Sequence, residues 1–279
     1  MAHEHGIQAA TDRLLPRREA APLIFGHRGY SAIAPENTLP AFEAIRSHEV
    51  PGVELDVQRC ASGEIVVSHD ENLERVAGVD LRIEDAPYEE LRKLDVGSWF
   101  ADSFTGERLP LLEEVLDLLR GDVVYDIELK TRHTGDPARH LVESVLEVIE
   151  RFDVAHTCIL SSFNPFALRW SRRRTRRIPT ALIYTSAKDA PLATRFSASQ
   201  RILGNELLKP DRQVFSRESG RSRPPYPRVP RLVWTVDDPH EKQQILEGLP
   251  AEGAAESAQH LPVYGVISND PAGAGEGRT

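Results

Sequence analysis

The chain has 279 residues, 40% hydrophobic and 28% charged, enough apolar material for one large buried core and too little polar bias for global disorder. Its net charge of −9 excludes general nucleic-acid binding, which depends on Lys and Arg neutralising phosphates. No apolar run reaches the roughly 20 residues a membrane helix needs, and the first 20 residues have no apolar h-region, so a cytoplasmic protein without signal peptide or stable membrane insertion is expected.

In chain order, residues 1–21 read as a polar tail, 22–272 as the globular part and 273–279 as a second tail. Short β-rich apolar runs lie at 22–29, 52–58, 122–130, 157–163, 179–184, 200–208, 231–236 and 264–270. Amphipathic helical stretches lie at 39–48, 111–121, 138–152 and 241–248. Strand and helix alternate about eight times, the pattern of an α/β fold, a (β/α)8 TIM barrel with its helices outside. Residues 64–70 follow the 52–58 run too closely for a crossover helix and should fold back as a hairpin. Residues 71–110 are too long for a plain loop, and predict a small insertion after the second barrel strand, above its C-terminal face. The Pro- and Arg-rich stretch 216–230 predicts a surface loop. The basic cluster Arg172 to Arg177 is either a phosphate- or lipid-facing patch or a solvated helix end paired with acids. Two cysteines, Cys60 and Cys158, make no disulfide framework and fit a reducing compartment.

Polar residues interrupt the apolar strands at telling places. Glu54 and Asp56 stand at i and i+2 of one strand, so they share a face; with Val53 and Leu55 under the helices, both acids point into the barrel. Glu128 and Lys130 repeat the pattern. Alone, the first pair is equally an exposed edge and the second is more often a surface ion pair than a site, but both fall at C-terminal strand ends, where barrels of this type carry their active sites. Three converging carboxylates suit Mg2+ or Ca2+. His27 and His69 also end strands, next to Arg28 and Asp70; together they offer an acid and a base, while Arg28 and Lys130 offer positive charge for a phosphate. The other eight histidines lie in predicted helices, loops or the tail and receive no role.

The ordered set His27-Arg28-Gly29, Pro35-Glu36-Asn37-Thr38, Glu54-Leu55-Asp56-Val57, Val66 to Asp70, Glu128-Leu129-Lys130, Ser161-Ser162-Phe163, Trp234-Thr235-Val236 and Gly265-Val266-Ile267 resembles the glycerophosphodiester phosphodiesterase family from about residue 23 to 272. The resemblance implies metal-dependent hydrolysis of small-molecule glycerophosphodiesters to an alcohol and sn-glycerol 3-phosphate. It implies Glu54, Asp56 and Glu128 as ligands of Mg2+ or Ca2+, and His27 and His69 as general acid and base. Arg28 and Lys130 resemble its phosphate-binding pair, Trp234 its aromatic wall against glycerol, and Glu36 and Asn37 supporting residues. The attacking oxygen is either water or the substrate's own glycerol 2-hydroxyl, and the oligomeric state is left open. Two alternatives share the fold: phospholipase D-type cleavage of lysophospholipids or sphingolipids, and a catalytically silent binding barrel. Two stretches depart from the usual pattern: Cys60 stands in Gln58 to Gly63, where a threonine and an aspartate-glycine turn are common, and Asn269 stands in Ser268-Asn269-Asp270, where the family often has Thr-Asp.

Overall fold

Strands with one apolar face toward helices and one face toward each other can only be buried on both sides by curling the sheet into a cylinder. That is the architecture of the computed structural model, which describes residues 21–186, 200–248 and 260–273. Both expected tails lie almost wholly outside the described residues.

Nine strands form one sheet: β1 Leu23–His27, β2 Gly52–Arg59, β3 Ile65–Val67, β4 Val124–Leu129, β5 Cys158–Ser162, β6 Thr180–Tyr184, β7 Leu207–Pro210, β8 Arg231–Val233 and β9 Val263–Ser268. All but β3 run parallel, and β1 pairs with both β9 and β2, closing an eight-stranded barrel. The helices α1 Leu39–Ser47, α2 Leu112–Leu119, α3 Asp136–Arg151, α4 Pro165–Arg174, α5 Arg212–Ser219 and α6 Pro239–Leu246 connect successive strands. Side-chain oxygens of Asn164, Asp211 and Asp238 accept from the first free amides of α4, α5 and α6. None of the described helices is long and apolar enough to cross a membrane.

Strand alternation sorts the core into two layers. Val53, Leu55, Val57, Ile127 and Leu129 pack outward against the helices. Phe25, Ile159, Ala181, Leu207, Leu232, Tyr264 and Ile267 form a separate cluster. Gly52 belongs here because any Cβ at that position would meet the Phe25 ring at 2.6 Å.

The hairpin is present: β3 runs antiparallel to the end of β2, with Val57 opposite Val67. Between β3 and α2 lies the insertion, built from short helical turns (Glu74–Ala77, Tyr88–Leu91) over a small core of Leu73, Ile83, Tyr88, Leu91 and Val96 that also takes in Cys60 and Val66 of the hairpin.

Two expectations need correction. Residues 200–208 are not one strand: Gln200–Leu203 is a helical turn and β7 begins at Leu207. Gly204, at φ +60°, ends the turn, and the Gln200 side chain bonds Asn205 at its backbone N, its side-chain amide and its carbonyl. A short apolar run carries no period able to separate these cases. The first four residues of the expected 216–230 loop instead complete α5, where Phe215, Glu218 and Ser219 are buried. The rest is pinned by the fully buried Arg231, which donates to the carbonyls of Pro225 and Tyr226 at 2.6 and 2.8 Å. Of the two readings of the basic cluster, the structure has a helix end paired with acids. Arg172 pairs with Glu206, Arg174 with Glu143, and Arg173 stacks on Trp170. Cys60 and Cys158 are both free and buried.

Candidate active site

Parallel register does the first part of the assembly. Because Glu54 lies opposite Asp126 and Asp56 opposite Glu128, the outward packing of Val53, Leu55 and Ile127 turns four carboxylates inward in two neighbouring rows. Glu54, Asp56 and Glu128 are all buried, and each offers an oxygen within 4.8 Å of the others. The Asp56 Oδ1 atom is buried without a hydrogen-bond partner. An orphaned acceptor among three carboxylates fits a hard divalent cation, which takes oxygen ligands. Burial works to raise the Asp56 pKa, but the charges of Lys130, His69 and Arg28 outweigh it and hold the carboxyl below the usual range.

The loop after β1 supplies the second part. Arg28 and Gly29, at φ +55° and +82°, bend the chain back so that the Arg28 amide donates to Glu54 Oε2 at 3.1 Å. Gly29 is required there, since a Cβ would approach Ala41 Cβ at 2.7 Å. Asn37, also left-handed at φ +55°, donates its side-chain amide to Asp56 Oδ2 at 3.0 Å. The Arg28 guanidinium lies 3.5 Å from Asp56 and 2.8 Å from Glu36. Glu36 does not join the carboxylate cluster; it is held between Arg28 and Arg75. Lys130 extends the β4 pattern to the mouth, with Nζ 3.1 Å from Glu128 and 3.7 Å from Asp56. Its pKa is raised: burial opposes this, and Glu128 and Asp56 overcome it.

Both histidines reach this rim. His27 Nδ1 lies 2.6 Å from Asn269 Oδ1, and His69 Nδ1 lies 2.7 Å from Asp70 Oδ1. Gln58 clamps the His69 loop by donating to the carbonyls of Ser68 and Asp70 at 2.9 and 2.8 Å. Trp234 follows β8, its Nε1 donating to the Lys209 carbonyl at 3.0 Å and its ring edge-on to Phe163. The ten residues named from the sequence thus gather at one end of the barrel, seven of them, Arg28, Glu36, Asn37, Glu54, Asp56, Glu128 and Lys130, joined in one network of direct hydrogen bonds and ion pairs.

The sequence matches the model of the glycerophosphoryl diester phosphodiesterase family over residues 27–272. The chain belongs to this family. It is therefore a member of a phosphodiester hydrolase family. It is 29% identical over 252 residues to a glycerophosphodiester phosphodiesterase of Caldanaerobacter subterraneus subsp. tengcongensis, covering 89% of this chain and 94% of that one. Among solved structures, a putative glycerophosphoryl diester phosphodiesterase from Silicibacter pomeroyi shares the fold with a TM-score of 0.73 at 23% identity, covering 94% of each chain. An Oleispira antarctica phosphodiesterase, solved with the product sn-glycerol-3-phosphate, superposes with a TM-score of 0.71 at 22% identity, covering 91% of this chain and 95% of that one.

Several residues of this family member escaped sequence reasoning. Lys209, fully buried on β7, places Nζ 2.8 Å from Asp126, 3.2 Å from Glu54 and 3.8 Å from Glu128. Burial opposes its charge, but Asp126, Glu54 and Glu128 raise its pKa. Arg75, from the insertion, bridges Glu36 and Asp70 at 2.6 Å each. Locally, Lys209 shows only a Leu-Leu-Lys-Pro strand end, one of 5 Lys among 34 basic residues, and nothing in that run separates it from a lysine at a solvated strand end.

Proposed function

We propose that the chain hydrolyses glycerophosphodiesters to an alcohol and sn-glycerol 3-phosphate, using one Mg2+ or Ca2+ held by Glu54, Asp56 and Glu128. The convergence of those three buried carboxylates, between two cationic side chains and beside two histidines, carries this reading. Formal charge supports it. Four inward carboxylates face three cations (Arg28, Lys130 and Lys209), so a divalent ion leaves one positive charge for a phosphodiester monoanion. When bound, the cation neutralises charge on the phosphoryl oxygens. Arg28 and Lys130 take the remaining phosphoryl charge from opposite sides of Asp56, and their own ion pairs fix them before substrate arrives. His27 and His69 move the protons, one from the attacking hydroxyl, one to the departing alkoxide. Trp234, held at its Nε1, presents an apolar ring against the glycerol carbons. The product in the Oleispira antarctica phosphodiesterase is the one proposed here.

The test is release of glycerol 3-phosphate from the choline, ethanolamine, glycerol and inositol esters, after chelation and again with Mg2+ or Ca2+ restored. Metal-restored release supports the reading; folded protein that releases none with any ester or ion defeats it in favour of a silent binding barrel. One observation favours a second reading, phospholipase D-type action on lysophospholipids. A groove of about 570 Å³, walled by Leu129, Phe163, Pro165 and Phe166, adjoins Glu128 and Lys130 and suits an acyl chain. Faster turnover of lysophosphatidylcholine than of glycerophosphocholine selects that reading.

A further inference from the structure

The proposed chemistry requires a histidine with a lone pair aimed at the reacting oxygen, and the partners behind His27 decide which ring nitrogen carries it. Asp237 accepts from the Asn269 amide N at 2.7 Å, from Asn269 Nδ2 at 2.7 Å and from Ser268 Oγ at 3.1 Å. A carboxylate only accepts, so the NH2 end of the Asn269 side chain faces Asp237. Its Oδ1 is thereby turned the other way, where it meets Ser31 Oγ at 2.9 Å and His27 Nδ1 at 2.6 Å. An amide oxygen also only accepts, so His27 donates from Nδ1 and, in the neutral ring, Nε2 bears the lone pair.

We propose that Asp237, acting through Asn269, locks His27 in the Nδ1–H tautomer and so delivers it to the reaction as a base. Asp237 and Asn269 are then positioning residues on two different strand ends, following β8 and β9, that converge on a third, β1. The pair acts as a polarity converter: a carboxylate is read by the histidine as a neutral acceptor. His69 has a different partner, the Asp70 carboxylate, so the two rings of this site are not equivalent. The inference rests on the reading of His27 as a proton-transfer residue. The tautomer is measured in the resting protein without substrate, so its failure and that of the hydrolytic reading are distinguishable.

The experiment has two arms. In 15N-histidine-labelled protein, long-range 1H–15N correlation, with His27 identified by its loss in His27→Gln, should show Nδ1 protonated and Nε2 bare. In the kinetic arm, Asn269→Leu removes the acceptor behind Nδ1 and should lower kcat for glycerophosphocholine about 10–10²-fold while leaving KM and calorimetric Mg2+ affinity within about threefold. The exchange Asp237→Asn with Asn269→Asp keeps an acceptor on Nδ1 and a donor between the two positions, and should hold kcat within about fivefold of wild type. A protonated Nε2 in the resting enzyme overturns the inference even if the variants fail to fold. So does Asn269→Leu with wild-type kcat, or an exchange variant no better than Asn269→Leu.

Discussion

Lys209 makes the sharpest stability prediction, because its buried ammonium sits among carboxylates at 2.8, 3.2 and 3.8 Å. At an effective dielectric of about 20, each such contact is worth roughly 4–6 kcal/mol. Most of that offsets the hydration these groups lose on burial, so the intact network is no large net gain. Removing one partner is different. Lys209→Met keeps the volume and leaves Asp126 and Glu54 facing each other, at a cost of about 3–5 kcal/mol. In a barrel of this size that corresponds to a Tm lower by roughly 6–20 °C. The variant also acquires a pH dependence of known sign. A buried carboxylate left without its cation binds a proton in the folded state that the unfolded chain releases at neutral pH. Its deficit against wild type should therefore be larger at pH 8 than at pH 5.5. Circular dichroism during heating and urea titration, with chelator present, reads both effects. A Lys209→Met protein as stable as wild type at pH 8 would refute the idea that this ammonium holds the interior charge together.

Other outcomes follow from the same geometry. His27→Asn and His69→Asn should each lower kcat about 10²–10⁴-fold while calorimetric Mg2+ binding persists; unchanged turnover in either removes that residue from proton transfer. Asp56→Asn should abolish stoichiometric Mg2+ or Ca2+ binding, and chelation should silence the wild type; a full binding isotherm in the variant counts against the three-carboxylate site. Trp234→Ala should raise KM for glycerophosphocholine about 3–10-fold with a smaller change in kcat, and an unaltered KM assigns the ring to packing alone. Hydrogen bonds from His133, Arg132 and Arg82 hold the Glu84 carboxyl down at about 2, against an ordinary 4.5. Its contribution to stability is complete above pH 4.5 and disappears as the pH falls toward 2, so Glu84→Gln should flatten the acid-denaturation curve in that window. Superimposable curves exclude the contribution.

Glu54 and Asp56 were legible in the sequence because a parallel strand under helices must be apolar on its outer face, and parity then sends the acids inward. His27, His69 and Lys130 were legible for a related reason, as polar residues at strand ends. Lys209 was not. One lysine after two leucines is locally indistinguishable from a strand emerging into water, and its meaning comes from β7 facing β2 and β4 across the barrel. Asp126 shares the parity of Glu128, yet carries no independent local signal beside Tyr125. Asn269 stood out only as a departure from a resembled pattern, since its partner His27 lies 242 positions away. The misread run at 200–208 failed on length: a helical turn and a short strand around Gly204 leave too few residues for either period to register.

The insertion's separate hydrophobic core has a consequence for how the enzyme fails on heating. Leu73, Ile83, Leu91 and Val96 pack on one another and, at their base, on Cys60 and Val66 of the β2–β3 hairpin, a cluster distinct from the barrel's own layers, so this segment is suited to open before the cylinder beneath it. Opening would free Arg75 and slacken its hold on Glu36 and Asp70, yet Glu54, Asp56 and Glu128 belong to β2 and β4. Inactivation and loss of cation binding should therefore occur at two different temperatures, turnover first. Amide exchange should find residues 71–110 unprotected in the interval between them, a thermal fuse set above a site that is still assembled.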